Sequence, residues 1–291
     1  MIAYQSAKSH FNLPDYILLF EENRTSPVIN QQHQEEDKLW LSRLLKRPSV
    51  VLIIDDIGDN YHRGKRVVEL PVSLNLAMLP NTPFAKKLAD EGFNKGHDIM
   101  LHLPMEATTR PDLLGKGALL DQHSKEQLTT VFSENLAQIP HVTGFNNHMG
   151  SRLTASQQHM TWVMEYAAER GLYFVDSRTT SSSVAFETAQ HWAIPSLGRD
   201  VFLDPTKDEK VIKQQFQKAL KVARKRGSVV LIGHPYAKSL KVLEEEIPKI
   251  ATDYNWLTTT EFLRFQQLAT LYGRSLAPDV AEQKPPRLSA K

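Results

Sequence analysis

The chain has 291 residues, 41% of them hydrophobic, enough to bury a large core in one or two domains. Its formal charge is +2, from 35 basic and 33 acidic residues interspersed along the chain, so nothing in the balance calls for a nucleic-acid partner. There is no cysteine, which excludes disulfides and thiolate metal sites and leaves His, Asp and Glu as the available strong metal ligands.

Residues 1–47 read as a polar lead-in ending in a short amphipathic helix over about 36–45. The apolar run Tyr16–Phe20 is too short for the hydrophobic region of a signal peptide, and no small-residue cleavage site follows it. No apolar stretch reaches the roughly 18 residues of a spanning helix, so no transmembrane segment is expected. The main domain is expected over 48–275. Its first strand, SVVLIID from Ser49 to Asp55, is a continuous apolar run of the kind buried on both faces. A second strand falls at 73–80, followed by a helix predicted from Thr82 as N-cap with Pro83 in its first turn. Strand 98–103 stops at Pro104. A helix over 124–138 carries a capping box, Ser124 with Gln127. Then come a strand at 143–150, a helix from Thr154 as N-cap to Arg170 ended by Gly171, and a strand at 172–176. A helix at 180–191 and a short strand at 201–204 precede a long basic helix, 208–226, stopped by Gly227. The strand 228–234 and helices at 239–250 and 259–272 close the domain. The Pro- and Lys-rich tail 276–291 is predicted to be disordered.

Strands alternating with helices predict parallel strands with crossover helices, about seven in all, in an α/β fold. An open doubly wound sheet and a barrel both satisfy that pattern.

Polar residues gather at one kind of place, the C-terminal end of a strand: Asp55-Asp56, His102, Asn146-Asn147-His148, Asp176 and His234. In parallel α/β folds these ends share one face, where the βα loops build the active site. Each has a plainer explanation. Asp after a strand is often the cap of the next helix, at about even odds for Asp176 taken alone. One His at a strand end is more often structural than a ligand. One carboxylate suffices for a cap, however, and Asp55-Asp56 offers two, with three imidazoles on the same face. His97 lies at the opposite end of its strand and reads as structural. His62, His123, His141, His159 and His191 fall in loops or helices and receive no function. Carboxylates and neutral imidazoles suit a hard or borderline divalent cation, Zn²⁺ first among several. Such an ion acidifies water and polarises a carbonyl, while a free carboxylate and a His serve as base and acid.

The segments IIDDIG (53–58), GHDIMLHLPME (96–106), GFNNHMGSRLT (144–154), FVDSRTT (174–180), RDVFLD (199–204) and LIGHP (231–235) resemble the divergent polysaccharide deacetylases, distant relatives of the NodB-type carbohydrate esterases. The resemblance covers about 48–252 in order and implies a distorted (β/α) barrel of about seven parallel strands. It implies Asp55 as general base, Asp56 and His102 as metal ligands and His234 as general acid, with Asp176 orienting His234 or touching substrate. Four residues beyond His102, where the family's second metal His belongs, stands Glu106. A carboxylate there or His148 from the next strand would complete the set. NNHMG replaces the family's Arg-Pro-Pro-Tyr, so Arg178 and Arg199 become candidates for the missing Arg and, with Asn146 and Asn147, for substrate binding. The implied activity is metal-dependent removal of acetyl groups from an N- or O-acetylated sugar of envelope glycan. The alternatives are a non-catalytic glycan-binding or envelope assembly protein that keeps a structural metal site, and a metal-dependent phosphoesterase, for which these motifs supply no basic cluster. The resemblance implies a periplasmic or exported protein, whereas the N-terminus carries no secretory pattern and leaves a cytoplasmic location open.

Overall fold

The computed structural model describes residues 31–277; the expectations for the first 30 residues and for 278–291 lie outside the described residues. Strands β1 (Ser49–Ile57), β2 (Asn75–Met78), β3 (Asp98–Met105), β4 (Val142–Met149), β5 (Tyr173–Asp176), β6 (Ser196–Gly198), β7 (Val201–Phe202) and β8 (Ser228–Gly233) form one parallel sheet. Its order is β6-β5-β4-β3-β2-β1-β8-β7, and a short β9 (Asn255–Trp256) lies beside the start of β1. Helices α1 (Gln31–Leu44), α2 (Tyr61–Val68), α3 (Ala85–Asn94), α4 (Lys125–Gln138), α5 (Gln157–Ala168), α6 (Ala185–His191), α7 (Glu209–Arg226), α8 (Ala237–Ile250) and α9 (Thr259–Leu271) complete the chain.

The two edge strands, β6 and β7, are consecutive in sequence and joined only by Arg199-Asp200. A link that short spans roughly 10 Å, so the sheet must curl until its edges almost meet. The Arg199 amide donates to Asp176 on one side of this seam and the Asp200 amide to Val230 on the other. The result is the expected distorted barrel, with eight strands in its run where about seven were expected. The unexpected β6 and β9 are three and two residues long, too short to show a period.

Alternation along the strands divides the core in two. Val50, Leu52, Ile54, Leu101, Leu103, Phe145, Phe174 and Leu231 face outward under the helices. Val51, Ile53, Ala77, Met100, Val175, Leu197, Val230 and Ile232 face the barrel interior and pack with Leu41 of α1 and Phe262, Phe265 and Leu268 of α9. Helix α1, placed by the sequence in the lead-in, therefore contributes to the core. One end of the barrel is closed by these apolar side chains.

Local chemistry explains several element ends. Ser124 and Gln127 form the expected capping box, Asp208 caps α7 by accepting from the Val211 amide, and Gly227 ends α7 at φ +87°. Two expected caps fail. The Thr82 hydroxyl donates back to the Leu79 carbonyl and α3 starts at Ala85; the Thr154 hydroxyl donates to Gly150 and α5 starts at Gln157. In both places the side chain closes the preceding turn instead.

Candidate active site

The interior positions that are apolar toward the closed end become polar toward the strand C-termini. Two residues beyond Ile53, Met100, Val175, Leu197 and Ile232 come Asp55, His102, Ser177, Arg199 and His234. Period-two alternation thus delivers the polar set to the open mouth of the barrel. Asp56 ought to point outward. An extra residue in β1 between Ile54 and Ile57, relative to β2, forms a bulge, and Asp56 takes φ +56°. The irregularity lets adjacent carboxylates serve one site, at the expense of a strained backbone.

Asp56 Oδ1 lies 3.2 Å from His102 Nε2 and 3.1 Å from His148 Nδ1, and the two imidazole nitrogens are 3.1 Å apart. Each ring's other nitrogen has an oxygen partner: His102 Nδ1 lies 2.7 Å from Asn146 Oδ1, and His148 Nε2 lies 3.0 Å from the Leu113 carbonyl. With N–H groups donated there, both facing nitrogens carry lone pairs. Three electron-rich atoms then converge on one point. Asp56 Oδ1 is buried and receives no aligned hydrogen bond, although two nitrogens are close. Tetrahedral ligands about 2.0–2.1 Å from a metal stand about 3.3 Å apart, so the spacing fits a cation bound by these atoms. Among the described residues, Asp56, His102 and His148 form the group able to hold a metal. Glu106 is not brought to it. Its Oε1 pairs with Arg152 at 3.3 Å and its Oε2 accepts from the Asp121 amide at 2.7 Å.

Burial works against ionisation of Asp56; without a metal, His102 and His148 carrying protons toward it, together with the charge of His234, override burial and hold the carboxyl well below its ordinary range. Asp55 is buried beside the triad, and its Oδ1 accepts from Asn146 Nδ2 at 2.8 Å. His234 stands on the other side, its Nε2 3.8 Å from Asp56 Oδ2. Its Nδ1 donates to Asp204 Oδ1 at 2.9 Å, while Asp204 Oδ2 accepts from the His234 amide and the Ser239 hydroxyl. Tyr236 stacks on the ring at 5.2 Å and Phe202 meets it edge-on at 5.5 Å. Burial alone would lower the His234 pKa, but the Asp204 hydrogen bond and the charges of Asp56 and Asp55 raise it to about 9.

Asp204, not Asp176, orients His234. Asp176 is occupied locally, accepting from the Arg178 amide at 2.7 Å and the Ser183 hydroxyl at 2.8 Å. Asn146 and Asn147 are fully buried, so neither presents a surface to substrate. Asn147 ties strand ends together through Met149 and Ser177. Arg178 and Arg199 flank the seam, each donating to the other's carbonyl, and Arg199 also donates to Ser177 at 2.7 Å. The Arg178 guanidinium packs where a Cβ on Gly198 would sit, so glycine makes that approach possible. Burial and the neighbouring Arg178 lower the Arg199 pKa, against the attraction of Asp176 and Asp55. Asp204 and Ser177 lie within the segments 199–204 and 174–180, but neither is among the residues that the sequence singles out. Asp204 carried the same signal as the others, an acid just beyond a strand.

A family model described as divergent polysaccharide deacetylase matches residues 52–263. The uncharacterized protein YibQ of Escherichia coli K12 is 31% identical over 232 residues, covering 80% of this chain and 72% of that protein. An uncharacterized protein of Haemophilus influenzae is 31% identical over 216 residues, covering 74% of this chain and 76% of its own. Among solved structures, an uncharacterized protein from Agrobacterium tumefaciens C58 superposes with a TM-score of 0.70 at 20% identity, over 75% of this chain and 89% of that one, and so shares its fold.

Proposed function

The chain belongs to the divergent polysaccharide deacetylase family, and from that premise we propose that it is a metal-dependent hydrolase that removes acetyl groups from an N- or O-acetylated sugar of envelope glycan. The observation that carries this reading is the convergence of Asp56 Oδ1, His102 Nε2 and His148 Nδ1, with the buried Asp55 carboxylate on one side and the His234 imidazole on the other. Asp56, His102 and His148 would hold a divalent cation, Zn²⁺ first among those suited to this donor set. Such an ion would polarise the acetyl carbonyl and acidify the attacking water. Asp55, held by Asn146 through one oxygen, takes the proton from that water. His234 is fixed by Asp204 with Nε2 facing the triad, and in its protonated form it delivers a proton to the leaving amine or alkoxide. Two carboxylates and an imidazole thus divide ligand, base and acid roles, set apart by their environments.

The test is acetate release from N- and O-acetylated glycans by metal-loaded protein. Asp55→Asn is expected to reduce turnover by about 10²-fold or more while keeping stoichiometric metal. Full metal loading with glycan binding but no acetate release from any amide or ester would replace this reading with glycan binding. Phosphate release from phosphoester substrates would replace it with a phosphoesterase.

A further inference from the structure

Asn146 occupies a position between the candidate base and a candidate ligand that no other side chain shares among the described residues. It is fully buried, and both ends of its amide are committed. Its Oδ1 lies 2.7 Å from His102 Nδ1, and its Nδ2 lies 2.8 Å from Asp55 Oδ1 and 3.3 Å from Ser177 Oγ. An amide has one accepting and one donating end, so these partners leave no freedom to flip it. Facing Asp55, an Nδ2 donor suits a carboxylate that can only accept. Facing His102, an Oδ1 acceptor requires the proton on Nδ1. Asp55 itself stands 3.8 Å from His102 Nδ1 and would be its natural hydrogen-bond partner if the amide were absent.

We propose that Asn146 is a positioning residue: a neutral spacer that keeps the Asp55 carboxylate off the His102 ring and turns the His102 Nε2 lone pair toward Asp56 and His148. Metal-ligating histidines are commonly oriented by a carboxylate on the far nitrogen. Here that carboxylate would be Asp55, and a base spent on orienting a ligand is tied to the ring's proton. The amide takes over orientation and leaves Asp55 to act alone. Register explains how the sequence places it, since Asn146 pairs with His102 across the β3–β4 ladder and both side chains enter the barrel interior. The metal half of this inference rests on the metallohydrolase reading; the hydrogen-bond half does not.

The experiment compares Asn146→Asp, Asn146→Leu and the swap Asp55→Asn/Asn146→Asp with the parent, by thermal unfolding of metal-free protein and by Co²⁺ affinity from chelator competition. Asn146→Asp sets two carboxylates face to face and should lower the unfolding midpoint by about 2–8 °C, and the swap should recover most of it by restoring an amide–carboxylate pair. A buried polar group with a merely structural role would not be rescued by exchanging it with Asp55. Asn146→Leu leaves Asp55 as the natural partner of His102 Nδ1, so adding Asp55→Leu should weaken Co²⁺ binding by about 10–100-fold in the Asn146→Leu background and have little effect in the parent, where the amide holds the ring. The inference is overturned if the swap is no more stable than Asn146→Asp, or if Asp55→Leu weakens Co²⁺ binding as much in the parent as in the Asn146→Leu background. A parent that takes up no Co²⁺ sinks the metal reading instead, and the swap alone then decides the role of the amide.

Discussion

His234 and Asp204 show how one hydrogen bond can assign a role. The ring is partly buried, which favours its neutral form, yet Asp204 and the nearby carboxylates raise its pKa from 6.5 to about 9. A raised folded-state value means the protonated ring stabilises the fold, fully below about pH 6.5, with that contribution lost as pH rises through about 9. In metal-free protein, Asp204→Asn should move the His234 imidazole titration downward by NMR and flatten the stability profile across that window. An unchanged titration would show that Asp204 does not set the charge on the ring. The same scale holds the clearest revision of the site. Glu106 and His148 are both reasonable ligands in sequence, and only distance separates them: His148 Nδ1 reaches Asp56 at 3.1 Å while Glu106 is held by Arg152 and the Asp121 amide. His148→Ala should accordingly reduce metal stoichiometry measured by elemental analysis, whereas Glu106→Gln should leave it near the parent's.

Among elements, α9 and α1 act as the floor of the barrel. Thr258 and Glu261 form a capping box on α9, the Thr259 amide donates to Asn75, and the Thr260 amide and hydroxyl donate to Asp98 at 3.0 and 2.7 Å. Strand starts thus cap the helix that plugs them. Asp98→Ala removes the buried acceptor of the Thr260 amide and hydroxyl and should destabilise the fold by about 2–3 kcal/mol in denaturant unfolding, with no change in metal stoichiometry. A loss of metal without loss of stability would contradict this division between floor and mouth. Helix α1 meets α9 through Trp40 on Phe265 and the Asp37–Arg264 pair. Its polar sequence hid that role because only a narrow stripe, including Leu41, is buried.

Across the whole molecule, the candidate ligands come from the ends of β1, β3 and β4, with β2 lying between β1 and β3 in the sheet. A bound cation would cross-link them near the open mouth. Removing it with a chelator should lower the unfolding midpoint, because a ligand held only by the native state at 100 times its dissociation constant contributes about 2.7 kcal/mol. An unchanged midpoint on stripping and reloading a metal-binding sample would show that the ion does not bridge the strands.

Local features were legible in the sequence. The buried strand Ser49–Ile57, the capping box of α4 and the Asp208 and Gly227 ends of α7 follow from neighbours within a few residues, so alternation, caps and glycine φ suffice to read them. The gathering of acids and imidazoles at one face was legible for the same reason, since parallel strands put their C-terminal ends together. Tertiary structure decided what depends on distance between separate strands. The β1 bulge that turns Asp56 inward, the choice of His148 over Glu106, the pairing of Asp204 with His234 and the two-residue seam at Arg199-Asp200 each join residues far apart in sequence. No period or cap encodes such a contact. It exists only once the sheet has curled.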